Sequence, residues 1–353
     1  MLAQTQKGVA LITALIFTVL VTSFAVAIAS QQQIDIRRTG NILAVERAYL
    51  LSQGIEDWAG DILKRDITDA TGDIYDHLGE EWATELPPIE IEGAVISGKI
   101  TDLQGLININ GLVDTSGAPV TTEIERFQRL LELFSYDTDL VDAVVDWIDP
   151  DTETRVPAGA EDSTYLSKEP AYRTSNEQMI SISELRLVEG FTNEIYTTLS
   201  PFLTALPSST ITGAVPVASD EEDTDPGDPA PAGEGMANGT PINLNTAPLE
   251  VIQALLGDST SGPLSESEAQ SFLDNIESEE GYETVTALND DSIIAGLDKS
   301  PSDFGTFGPE VRSEYFLIEA QAVLPDAQIQ LFSVVQRDND GNLSVLMRGQ
   351  GSY

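Results

Sequence analysis

The sequence predicts an α+β fold: one long N-terminal helix, two separated blocks of strands, and a helical stretch inserted between them. Three observations carry this. Val9 to Ala29 contains no charge and runs on into a segment with helical spacing. Apolar and polar residues alternate from Ile89 and again from Ser313. Between these blocks, helix-start signals recur on both sides of a stretch rich in Pro, Gly and acid.

The helix comes first. VALITALIFTVLVTSFAVAIA, as an α-helix, is about 30 Å long, the thickness of a bilayer's hydrocarbon core. Beyond it Ile42, Val45, Tyr49, Ile55 and Trp58 recur near helical spacing, so the helix becomes amphipathic. Pro87-Pro88 is expected to end the helical region. A cleaved secretory signal, with Ala25-Val26-Ala27 or Ala27-Ile28-Ala29 as its site, fits this segment. So do a plain single-pass anchor and a leader cut after Gly8. Physics alone leaves all three open.

From Ile89, IEIEGAVISGKITDLQGLININGLV reads as two or three short strands with glycines at the turns. Thr122-x-x-Glu125 is a capping box ahead of IERFQRLLELF, and LVDAVVDWI is apolar on one face. Ser181-x-x-Glu184 and Ser265-x-x-Glu268 open two more helices, and Thr246 is placed to cap a third with Pro248 in its first turn. Residues 207–240 cannot bury a core and are expected to be a structureless acidic loop. SEYFLIEAQAVL, AQIQLFSVVQR and LSVLMRG then read as strands, with Asp338-Asn339-Asp340-Gly341 turning the last pair. Ile107-Asn108-Ile109-Asn110 echoes Ile242-Asn243-Leu244-Asn245, each ahead of helices, which suggests a duplication.

Composition narrows the function. Lys+Arg total 17 against Asp+Glu 59, a formal net charge of -42 in 353 residues. That charge repels phosphate backbones and excludes nucleic acid as a partner. Cysteine is absent and His77 is the only histidine, so thiol chemistry and histidine-rich metal sites are excluded. There is no GxSxG elbow, phosphate loop, HExxH helix or dinucleotide fingerprint, and no enzyme is expected.

The densest oxygen cluster is DWIDPDTETRVPAGAED. Asp149, Asp151 and Glu153 alternate as calcium ligands on a loop do, Glu161 and Asp162 follow eight residues later, and Gly159 lets the return limb approach. It is not an EF-hand, because Thr154 stands where that loop's glycine belongs and Ala160 at its twelfth position. A solvated acidic turn, with Asp146 capping or pairing with Arg155 or Arg173, is the alternative. Asp338, Asp340 and Asn342 offer a weaker site, where a hairpin turn is favoured.

KGVALITALIFTVLVTSFAVAIASQQQIDIRRTGNILAVERAYLLSQGIEDWA resembles the start of the type II secretion K pseudopilins, with V-A-L-I-T-A-L opening the apolar helix and an R-R-T-x-N segment after it. VDWIDPD, GAEDSTYL, EPAYRTSN, SISELRLVEG and INLNTAPLEV extend the resemblance over nearly the whole chain. It implies a pilin-like antiparallel sheet carrying a large insertion of two helical, SAM-like units. It divides the chain into a leader at 1–8, a transmembrane part at 9–29, and the rest of the helix with its connection at 30–86. The first strands then fall at 87–110, the insertion at 111–312 and the last strands at 313–353.

It implies cleavage between Gly8 and Val9 by prepilin peptidase and methylation of the new N-terminus. The head would lie in the periplasm, anchored in the bacterial inner membrane. Calcium is implied in the insertion, with Asp149, Asp151, Glu153, Glu161 and Asp162 as ligands. The implied partners are the I and J minor pseudopilins and the major pseudopilin, with the secretin and secreted substrates beyond them. Thr13 stands where most pilin-like proteins carry glutamate, as K subunits do. A membrane carboxylate needs a cation above it, so an uncharged residue suits the subunit at the tip. The competing functions are a membrane-anchored, calcium-dependent periplasmic binding protein or hydrolase, and a minor pilin of a type IV pilus.

Overall fold

A computed structural model describes residues 6–68, 74–207, 240–258, 260–297 and 308–351. The acidic segment 207–240 lies almost wholly outside the described residues.

Helix α1 runs from Gln6 to Thr68. Every residue from Val9 to Leu43 is exposed, so this half has no partner in the fold. Burial then begins as a helical stripe of Ala48, Ser52, Ile55, Ala59, Ile62 and Leu63, the face that meets the sheet. The helix stops well before Pro87-Pro88, which instead sit in strand β1 (Leu86–Ile91). β1 is an edge strand, and its register shifts between Leu86 and Ile89, so the missing N–H groups break no ladder. Glu92 and Gly93 both have positive φ and turn the chain into β2 (Ala94–Asp102).

Beside β2, antiparallel, lies a strand from the far end of the chain. β2 reaches its partner through Asp102↔Phe316, and everything from 103 to 314 is threaded between those two strands. Ile107-Asn108, expected with the first strands, therefore finds the place beside β2 already taken. It pairs instead, as strand β3, in parallel with β4 (Leu203–Thr204).

The first half of the excursion holds α2 (Thr121–Leu133), α3 (Leu140–Ile148), α4 (Asp162–Tyr165) and α5 (Asn193–Leu199). The second half opens with β5 (Ile242–Asn243) and continues through α6 (Leu249–Leu256), α7 (Glu266–Ser278), α8 (Val285–Asn289) and α9 (Ser292–Gly296). It closes with β6 (Pro309–Glu310), which pairs in parallel with β5. The sequence echo is thus a structural repeat. In each half a buried asparagine clips a distant backbone. Asn110 accepts from Met179 N–H (2.8 Å) and donates to Met179 C=O (2.9 Å). Asn245 does the same to Tyr282, at 2.9 and 3.0 Å. One apolar core, including Phe127, Leu130, Val251, Leu255 and Phe272, runs through both halves.

The chain then returns as β7 (Tyr315–Leu324), β8 (Ala327–Arg337) and β9 (Leu343–Gln350), completing an antiparallel sheet of order β1-β2-β7-β8-β9. α1 covers one face of that sheet, with Trp82, Phe316, Ile318 and Val335 between them. The architecture is α+β, as the sequence predicts. Two expected caps differ. α2 begins at Thr121 without a side-chain cap, because its N-cap position is held by Val120, whose side chain has no acceptor. Thr246 caps nothing; its hydroxyl donates to Asp102 (2.5 Å). Ser265, by contrast, accepts from Glu268 N–H at the start of α7.

Candidate metal centre

α3 buries Val141, Val144, Val145 and Ile148, and that packing carries Asp142 and Asp146 inward on the next turns. Asp142 accepts from Arg155 Nε (3.1 Å), and Asp146 from the Arg155 N–H (3.1 Å). A Cβ on Gly159 would collide with Asp146 Oδ2 and with the Arg155 backbone, so only glycine admits the return limb here. The helix ends where Asp149 turns extended ahead of Pro150.

Asp149, Asp151 and Glu161 then converge, each bringing a carboxylate oxygen within 4.8 Å of the other two. Asp149 and Glu161 are each 3 % exposed, while Asp151 faces solvent. Asp149 Oδ1 and Glu161 Oε1 are buried and accept no hydrogen bond. Burial, and then the charges of Asp151, Asp146 and Glu161, push the Asp149 carboxyl up to about 7. Burial and Asp146 raise Glu161 as well. Arg155, which could have neutralised the trio, is bound to Asp142 instead.

Two orphaned oxygens and mutually repelling, dehydrated carboxylates are the donor set of a hard divalent cation. The residues fit one. Two expected ligands stand apart. Glu153 is exposed and gives only its N–H to Asp151 Oδ1 (2.7 Å). Asp162 opens α4 and is occupied by Arg173 Nη1 (2.8 Å) and by Thr174 N–H (3.2 Å) and hydroxyl (3.1 Å). The Asp338 carboxylate accepts from Asp340 N–H (2.9 Å), Asn342 N–H (2.8 Å) and Asn342 Nδ2 (3.1 Å). Those bonds hold it below the usual carboxylate range, and it serves the hairpin.

A second polar centre, which sequence reasoning missed, lies where the excursion joins the sheet. Arg337, fully buried at the end of β8, donates to Asp66 (2.6 Å), Asp76 (2.5 Å) and Ser313 C=O (2.9 Å) and stacks on Phe316 at 4.7 Å. Asp102 accepts from Ser313 (2.6 Å), Thr246 (2.5 Å) and Gln104 N–H (2.7 Å). α1, both ends of the excursion and β8 are thereby tied at one point. Spacing could not reveal it, since Asp66 and Arg337 lie 271 residues apart.

A helix whose apolar first half is long enough to cross a bilayer, and whose second half packs on one face of an antiparallel sheet, is the architecture of a pilin-like protein and is consistent with a single-pass membrane anchor. The family description "Type II secretion system (T2SS), protein K" matches residues 105–208, the half that holds the acidic trio. The type II secretion system protein K of Pseudomonas aeruginosa is 30% identical, covering 98% of this chain and 93% of its own. That of Aeromonas hydrophila is 27% identical over 98% and 97%. A chain in the crystal structure of the GspK-GspI-GspJ complex from enterotoxigenic Escherichia coli superposes with a TM-score of 0.69 at 19% identity. It covers 90% of this chain and 100% of that one, and so shares the fold. The chain belongs to the type II secretion system protein K family.

Proposed function

We propose that this chain is a structural minor pseudopilin seated at the tip of the secretion pseudopilus, where it starts assembly and supports export of folded proteins across the outer membrane. The observation that carries this is the body that the described residues between 103 and 314 build between β2 and β7. A subunit with so large a head obstructs anything stacked above it. Thr13 agrees: its hydroxyl bonds its own helix, at Val9 C=O (3.1 Å) and Ala10 C=O (3.0 Å), and asks for no neighbour.

On this reading prepilin peptidase cuts between Gly8 and Val9, the stem packs among major pseudopilin stems in the inner membrane, and the head lies in the periplasm. The I and J minor pseudopilins bind it, as the related complex suggests, and the secretin and cargo meet it above. Calcium is held by Asp149, Asp151 and Glu161, and it supplies charge neutralisation that fixes the 149–161 loop to the end of α3.

Secretion of a reporter in a strain lacking the native subunit tests the position. Thr13→Val should retain secretion. Thr13→Glu should be neutral or harmful, since an unpaired acid in the bilayer costs about 2.5–3.5 kcal/mol. A clear gain with Thr13→Glu together with loss in Thr13→Val would place a partner above and overturn the tip assignment. Mass spectrometry of the mature N-terminus should show Val9.

A further inference from the structure

We propose that Arg37 and Arg38 hold the phosphate of an anionic phospholipid at the outer face of the membrane that α1 crosses. This rests on the anchored orientation proposed above and is independent of the tip position.

Two adjacent guanidiniums stand unclaimed on α1. Arg37 and Arg38 are both exposed, and neither makes an ion pair or a side-chain hydrogen bond among the described residues. The cations further along the helix are engaged. Arg47 pairs with Glu92 (3.1 Å), Arg65 pairs with Glu81 (3.4 Å), and Lys64 reaches Asn342 Oδ1 (3.4 Å). The one acid within a turn of the pair is Asp35, and it accepts from Gln31 Nε2 (3.1 Å) on the side of the apolar run. In a chain of net charge -42, arginines left without an acid call for a partner outside the chain.

Position supplies that partner. The uncharged run ends at Ala29, and Ser30 to Gln33 follow as a belt of neutral polar residues. Arg37 and Arg38 come about 12–14 Å further along the helix. The headgroup layer outside the hydrocarbon core is itself about 5–7 Å deep. Side chains on a helix lean toward its N-terminus, which here is toward the bilayer. A long arginine therefore carries its guanidinium back to the level of the phosphates, and helix tilt shortens the distance further. The fork of the guanidinium matches a phosphate.

Arginines on the exported side of a span also run against the charge asymmetry that favours cations inside, so an interaction there has to favour them. Every acid of the chain lies beyond Gln33, and an anionic membrane surface repels the head that carries them. The arginine pair seats the stem against that repulsion. A carboxylate on a neighbouring stem reaches these arginines only after assembly, whereas lipid surrounds the lone subunit too.

The test reconstitutes the full chain in phosphatidylcholine vesicles with a trace of spin-labelled phosphatidylglycerol or, in parallel, spin-labelled phosphatidylcholine. The motionally restricted fraction of each label is measured. Wild type should select phosphatidylglycerol by roughly fivefold per arginine at low salt, with the preference shrinking as salt rises. Arg37→Gln with Arg38→Gln should abolish the preference, and Arg37→Lys with Arg38→Lys should keep most of it. Arg47→Gln should leave it unchanged, since that guanidinium is committed to Glu92. Equal selectivity in wild type and the double glutamine variant, or an equal loss in Arg47→Gln, overturns the assignment. So does loss of secretion in the glutamine variant without any lipid preference in wild type, which would give the pair to an acid on a neighbouring subunit. Failure of wild type to float with the vesicles after a carbonate wash would instead overturn the anchored reading, and this inference with it.

Discussion

Among the described residues two clusters of three carboxylates stand out, and each brings its oxygens within 4.8 Å: Asp66, Asp76 and Glu80 at the junction, and Asp149, Asp151 and Glu161 in the first helical half. The first has its own cation. Arg337 enters from β8 and binds two of the three acids. Among the described residues the second has no ion pair of its own: Arg155 is bound to Asp142, and two of the cluster's oxygens are buried and unbonded. The difference teaches how a protein with a net charge of -42 disposes of buried acid. Where the acids are to stay neutralised under all conditions, the cation is covalently part of the chain. Where no guanidinium is bound, the same geometry would be neutralised only by a cation from solution, as proposed for calcium above.

The largest effect should come from removing the built-in cation. Burial disfavours the charge on Arg337, but Asp76 and Asp66 hold its pKa above the ordinary value, so it stays ionised. Arg337→Met leaves Asp76 fully buried without its partner and should cost about 3–5 kcal/mol, read from urea unfolding of the full chain in detergent. Calcium should not restore that loss.

Next in size is the response of the second cluster to calcium. A ligand at a hundredfold above its dissociation constant stabilises the folded state by about 2.7 kcal/mol. Melting in calcium should therefore exceed melting in chelator by several degrees, and Asp151→Ala with Glu161→Ala should abolish the difference. Asp66→Ala should leave it intact. An equal calcium response in wild type and the double variant would place the ion elsewhere.

The calcium increment should also depend on pH. Asp149, raised to about 7, holds a proton below that value that the ion must displace. The increment should shrink from pH 8 to pH 6. Without metal the slope reverses, since a carboxyl whose folded pKa lies above its unfolded one stabilises most at low pH and loses that contribution as pH rises through 7. Melting temperatures with and without calcium should therefore lie close together at pH 6 and separate progressively at pH 7 and pH 8.

The contrast between the clusters also marks what the sequence can express. Local signals were legible. The uncharged run at 9–29, the Ser265 cap, the Asp338 turn and the asparagine echo all work through neighbours a few residues apart. Asp149, Asp151 and Glu161 could be suspected because one loop carries them. Glu153 and Asp162 could not be separated from them, since spacing does not tell which side chain a loop turns outward or which Arg173 and Thr174 will occupy. Thr246 looked like a helix cap because nothing local announces that Asp102 will claim its hydroxyl. Arg337 was invisible for the same reason: its partners Asp66 and Asp76 lie 271 and 261 residues away and meet it only in the folded chain.

The smallest predicted effect isolates the surplus acid of the first cluster. Arg337 binds Asp66 and Asp76, which leaves Glu80 as the third carboxylate without a guanidinium of its own. Glu80 accepts from Trp82 Nε1 (2.6 Å) and from His77 N–H (3.1 Å). Burial, and then the Asp66 charge, push its carboxyl up to about 7. Against an unfolded value near 4.5, the folded state holds the proton more tightly. Glu80 therefore contributes stability that is present below about pH 4.5 and is lost as pH rises through 7. Glu80→Gln removes the charge and keeps an oxygen to accept from Trp82 and His77, while its new amide N–H can donate to Asp66. The variant should match wild type at pH 5 and gain no more than about 1 kcal/mol at pH 8, with a flatter profile between. If Glu80→Gln were instead destabilising at pH 8, the ionised carboxylate would be part of the clasp that Arg337 closes, and the first cluster would need all three of its charges.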